Sequence, residues 1–159
     1  MNRKKFLQQS FIGAAGLLSL PKGLFTFQQA KPEPFKPEIV KEFVGKSHSN
    51  MDRIKEMLEN EPGLLHVAWD WGGGDFETGL GAASHVGYRD LSLYLLEKGA
   101  RMNLFTAAML GDLKLVKMII ESYPGQLQTK GPHGLSLMHH AQKGKEHAVA
   151  VVEYLEGLK

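Results

Sequence analysis

Three glycines, Gly87, Gly111 and Gly144, each close a short run of small and apolar residues and open a longer, apolar-periodic one: ASHVG before YRDLSLYLLEKGA, AAMLG before DLKLVKMIIES, HAQKG before KEHAVAVVEYL. The positions eight and nine residues after each glycine match in turn, at Leu95/Leu96, Ile119/Ile120 and Val152/Glu153. Ser49 stands in the same place in a degenerate first unit, with Met57 and Leu58 at the corresponding offsets. Each second helix carries an apolar stripe at helical spacing, such as Leu91, Leu95 and Leu96 or Leu113, Val116 and Ile120, which a lone helix pair cannot bury. Neighbouring pairs must stack, so the chain is held to an all-α array of helix pairs. Ala82, Ala83, Ala107, Ala108 and Ala141 let paired helices approach closely, and Gly99 is expected to end its helix in a left-handed turn.

The pattern resembles the ankyrin repeat, a helix-turn-helix followed by a hairpin finger with a period of about 33 residues. Thr78 to Gly87, TGLGAASHVG, is similar to that family's TPLHxAAxxG; LLEKGARMN is similar to its LLxxGAxxN, and Gly134 to His139, GLSLMH, to GxTPLH. The resemblance spans residues 38–158 as four repeats, the first degenerate. Intervals between the marker positions are 38, 24 and 33 residues. The short interval leaves the third unit, after Asn103, no room for a finger. The long one places its extra residues in the loop containing Trp69 to Asp75.

Ahead of the repeats, Asn2 to Gln8 is a basic cluster running into Phe6 and Leu7, followed by the apolar stretch Phe11 to Leu20. That order is the layout of an export leader, too short to anchor stably in a bilayer. The sequence Arg3, Lys4, Lys5, Phe6, Leu7 is similar to a twin-arginine export signal, with Lys4 in the place of the second arginine. The domain reading is a signal peptide over residues 1–30, a Pro-rich spacer over 31–37 and an ankyrin-repeat domain over 38–159, with Pro37 at a first helical position. A bacterial, periplasmic or otherwise exported protein is expected, with no stable membrane anchor once the leader is removed. The leader also accounts for the basic balance: without Arg3, Lys4, Lys5 and Lys22 the chain holds 15 bases against 17 acids, so no nucleic-acid partner is expected. The absence of cysteine excludes disulfides, a thiol nucleophile and a thiolate metal site.

Gly72 to Gly74 invites comparison with phosphate loops, but no GK[ST] follows and the neighbouring charges are acidic. Ser84 beside His85, and Ser136 near His139, lack a nucleophile elbow; Asp75 and Glu77 read as solvated turn residues. No enzyme activity and no cofactor are expected. His85, His133, His139 and His140 could converge with Asp70, Asp75 or Glu77, a donor set that divalent metals accept where thiolates are missing. Their spacings fit no metal signature, and adjacent His139 and His140 point about 100° apart on a helix. His139 is expected to hydrogen-bond within its own turn, as a histidine does in ankyrin-type first helices.

The resemblance implies that first helices and fingers line a concave face that binds partners. It points to Trp69, Asp70, Trp71, Asp75, Phe76, Glu77, His85, Phe105, His133, His139 and His140 as binding residues. The resulting expectation is a monomeric, non-catalytic module that binds another protein. The alternative is a metal-binding or hydrolytic site built from His85, His133, His139, Asp70 and Asp75.

Overall fold

The computed structural model describes residues 33–158; the expected leader and residues 31–32 of the expected spacer lie outside the described residues. The chain from Pro34 onward forms one compact unit. Its helices are α1 (Pro37–Lys46), α2 (Met51–Asn60), α3 (Gly79–Val86), α4 (Arg89–Glu97), α5 (Leu104–Leu110), α6 (Leu113–Ser122), α7 (Leu137–Lys143) and α8 (Val149–Glu156). A 3-10 turn over Pro62–His66 and a hairpin, β1 (Ala68–Asp70) with β2 (Phe76–Thr78), separate α2 from α3, the hairpin pairing Trp69 with Glu77. The class is all-α, as the apolar periodicity requires. No described helix is long and apolar enough to cross a membrane.

Each even-numbered helix packs on the odd-numbered helix before it, and the odd-numbered helices form a layer, α1 on α3, α3 on α5, α5 on α7. Two buried clusters result. Phe43, Ile54, Leu64, Leu91 and Leu95 fill the first half, while Leu104, Val116, Ile120, Leu137 and Val151 fill the second. Between them the hydroxyls of Ser84 and Thr106 meet at 2.8 Å, so the junction is tied by a satisfied polar pair.

Helix starts follow the side chains able to accept from a free backbone N–H. Asn50 accepts from Arg53, Thr78 from Gly81, Asn103 from Thr106, Asp112 from Leu115 and Ser136 from His139. The shortest of these helices are α5 and α7, at seven residues each, and Asn103 caps the first of them. Asn103→Ala is expected to cost about 1 kcal/mol in thermal or urea denaturation; a change within experimental error would show that packing alone fixes that start.

The fourth unit departs from the second and third in its turn and in the phase of its second helix. Gly87 and Gly111 end α3 and α5 in the left-handed region, but Gly144 is right-handed, and Lys145 takes the positive φ of 50°. A 3-10 turn over Lys145–Ala148 then precedes α8. That turn changes the phase of the following helix, so its buried residues are Val151 and Leu155, while Val152 is half-buried and Glu153 exposed.

The link between α4 and α5 is short, Lys98 to Asn103. With α5 following α4 so closely, α3 touches α7 directly, and the turn Pro132–Gly134 reaches α3. The segment before α7 thus comes to lie against the β1–β2 hairpin, placing residues from distant parts of the chain side by side.

Candidate functional site

Glu77 is the centre of that meeting point. In β2 it points inward and is fully buried, whereas its neighbour Phe76 is 63% exposed. This reverses the expected solvated-turn role of Glu77. A buried carboxylate must be compensated by charge or hydrogen bonds, and the indole Nε1–H of Trp71 donates to Oε2 at 2.8 Å. Three imidazoles surround the same carboxylate. His85 Nδ1 lies 2.8 Å from Oε1, while His48 Nε2 and His133 Nε2 each lie 3.5 Å from Oε2. Burial pushes the Glu77 carboxyl up, but His85 and the Trp71 N–H together outweigh it, and the pKa falls below the ordinary carboxylate value.

Each histidine is delivered by a different element: His48 by the turn after α1, His85 by α3, His133 by the 3-10 turn before α7. The outer nitrogen of His48 is occupied, since Nδ1–H donates to the carbonyls of Gly45 at 3.0 Å and Val44 at 3.2 Å. His133 is held by Asp75, whose two oxygens accept from the backbone N–H at 2.8 Å and from ring Nδ1–H at 2.9 Å. That clasp keeps His133 at φ 58°, a left-handed conformation costing about 1 kcal/mol or more for a non-glycine residue. With Nδ1 engaged in these bonds, Nε2 is the nitrogen that His48 and His133 each present to Glu77, at 3.5 Å. The rings contact edge to face, His48 on His85 at 4.9 Å and His85 on His133 at 5.1 Å between centroids.

Of the residues singled out in the sequence, the structure brings together Trp71, Asp75, Glu77, His85 and His133. The others do different work. Asp70 shapes the glycine loop, accepting from the backbone N–H of Gly72 and Gly74. Trp69 is half-buried against the first apolar cluster with Lys41 above its ring. His139 does not bond within its own turn; its Nε2–H donates to the carbonyl of His85 at 3.1 Å, tying α7 to α3. The own-turn bond belongs to His140, whose Nδ1–H donates to Ser136 at 2.9 Å. His140 is fully buried, its ring 4.9 Å from that of half-buried Phe105, so it is a core residue and not part of a binding face. Ser84 is committed to Leu80 and Thr106 and does not address the cluster.

His48 was not singled out in the sequence. It directly precedes the marker Ser49, as His85 stands two residues before the marker Gly87. Reading units one and two in register would have placed both histidines at the ends of adjacent first helices. Comparisons of the chain with protein-family models, curated proteins and solved structures return no match.

Proposed function

We propose that this chain is an exported, ankyrin-repeat-type binding module, without catalytic activity, that captures another protein through the finger Trp69 to Glu77 and the face beside it. The observation carrying the reading is the finger itself: Phe76 at 63% and Trp71 at 38% exposure project aromatic surface from a hairpin whose glycine loop is bonded internally. A large aromatic held in place and left in water is the side chain type that anchors interfaces. The serial packing of the odd-numbered helices supports the repeat assignment, and the leader-like N-terminus supports export. The non-catalytic reading rests on the commitment of the Ser84 hydroxyl and on the absence of a thiol.

Phe76 is the clean probe, because it takes no part in the Glu77 cluster. Phe76→Asp is expected to lower capture of the envelope partner at least about tenfold, with the melting temperature unchanged. The control, Met118→Asp on α6, also alters an exposed apolar residue and should capture as the parent does. Equal capture by parent and Phe76→Asp, or equal loss in both variants, removes the finger as the recognition element.

A further inference from the structure

Two buried polar atoms at the centre of the cluster, Glu77 Oε1 and His85 Nδ1, have no hydrogen-bond partner although they lie 2.8 Å apart. The imidazole and carboxylate approach each other without the alignment a hydrogen bond needs. The contact is an ion pair only with a protonated imidazole; with a neutral one both buried groups are left unsatisfied, which is unfavourable. Direct approach without mutual bonding is, however, the normal relation between two ligands of one cation.

From this arrangement we infer that His48, Glu77, His85 and His133 form a binding site for one divalent transition cation of the zinc type. One donor atom from each residue lies within 4.8 Å of all the others. A tetrahedral zinc ion with bonds of ~2.0–2.1 Å holds its donors ~3.3 Å apart, and the histidine nitrogens lie 2.8 Å from Oε1 and 3.5 Å from Oε2 of the one Glu77 carboxylate. Closing the widest separation requires a shift of about 1.5 Å at most, available because His48 and His133 are partly exposed and carried on turns. The chemistry of the set selects the ion. Three imidazole nitrogens and a single carboxylate suit zinc and its neighbours, and calcium or magnesium would require more oxygen.

The surroundings have the form that a metal site needs. Ligating histidines ordinarily donate their second ring N–H to a carboxylate or a backbone carbonyl. Here Asp75 accepts from His133, and Val44 and Gly45 accept from His48. The Trp71 N–H bonds Oε2 of Glu77, while Oε1 accepts no hydrogen bond. Four protein donors fill a tetrahedral shell, so the ion fastens the turn after α1, strand β2, helix α3 and the turn before α7 to one another, with no position kept for a reacting water.

Metal-stripped full-length protein titrated with zinc against a chromophoric chelator is expected to bind one equivalent, with a rise in melting temperature that a strong chelator reverses. Cobalt(II) should give the intense visible absorption of a tetrahedral site. Glu77→Gln risks folding, so the decisive variants are the partly exposed ligands: His48→Gln and His133→Gln are each expected to weaken zinc at least about tenfold. Asp75→Asn, which alters only the support of His133, is expected to weaken it about 10–100-fold. His147→Gln, outside the cluster, should bind as the parent does. Substoichiometric zinc, an octahedral cobalt spectrum, or undiminished affinity in both His48→Gln and His133→Gln would overturn the assignment. None of these readouts depends on a protein partner, so they stand apart from the capture experiment.

Discussion

Gly111→Ala is expected to destabilise the chain by more than about 4 kcal/mol, the largest effect of any single methyl group added here. Two costs combine. Gly111 sits at φ 84°, where alanine loses about 1–2 kcal/mol. The added Cβ would also run into the carbonyl oxygen of His147, with the carbonyl carbon at 2.8 Å and Ala148 Cα at 3.3 Å. All three atoms are main chain in the turn before α8, so no side chain can swing away. Gly144 makes the reciprocal contact, its Cβ position colliding with the carbonyl of Met109. The third and fourth units therefore meet backbone to backbone. Gly99→Ala separates the two costs, because Gly99 has φ 98° and nothing within 4 Å of its Cβ position. It should lose only the conformational part, about 1–2 kcal/mol. Urea denaturation of the three proteins decides the matter; similar losses for Gly111→Ala and Gly99→Ala would mean that the units part readily.

This contact also shows why the marker glycines are legible in the sequence while their reason is not. Glycine after a helix predicts a left-handed terminus, which Gly87 and Gly111 adopt and Gly144 does not. The requirement shared by all three is proximity: their Cβ positions would strike the carbonyls of Lys143, His147 and Met109 respectively. Periodicity locates the helices, and local chemistry locates their starts, because both act over a few residues. The site depends on distant neighbours. Alternation along β2 would hide Phe76 and expose Glu77; the structure does the reverse, since the Trp71 N–H and three histidines supply the polar environment that a buried carboxylate needs. His85, His133, Asp75 and Glu77 were recognisable as candidates by residue type. Their convergence was open in the sequence, with His139, His140 and Asp70 as equal candidates; which of them meet follows from the short link between α4 and α5, which brings the turn before α7 onto α3. The same limit made neighbours His139 and His140 look alike, although one reaches across to α3 and the other turns into the core.

His140 gives the chain an acid-sensitive core. Burial lowers its pKa to about 4, against the opposing effect of its bond to the Ser136 carbonyl. His139 and His85 also favour the neutral form, while Glu77 favours the charged one. In the unfolded chain a histidine titrates near 6.5. Between these values the unfolded state binds more protons than the folded state, so stability rises with pH across the window. The contribution is fully present above about pH 6.5, declines as the pH falls toward 4, and amounts to about 3 kcal/mol at its limit. His140→Phe removes the titrating group, keeps an aromatic ring beside Phe105, and leaves the Ser136 carbonyl its backbone donor, the N–H of residue 140. The variant is expected to lose about 2–3 kcal/mol less than the parent between pH 7 and pH 4.5 in urea denaturation. His48, His85 and His133 are present in both proteins, so the two profiles differ only through residue 140. Parallel pH profiles would show that His140 is already hydrated in the folded chain, and that the α5–α7 interface beside it is looser than its burial implies.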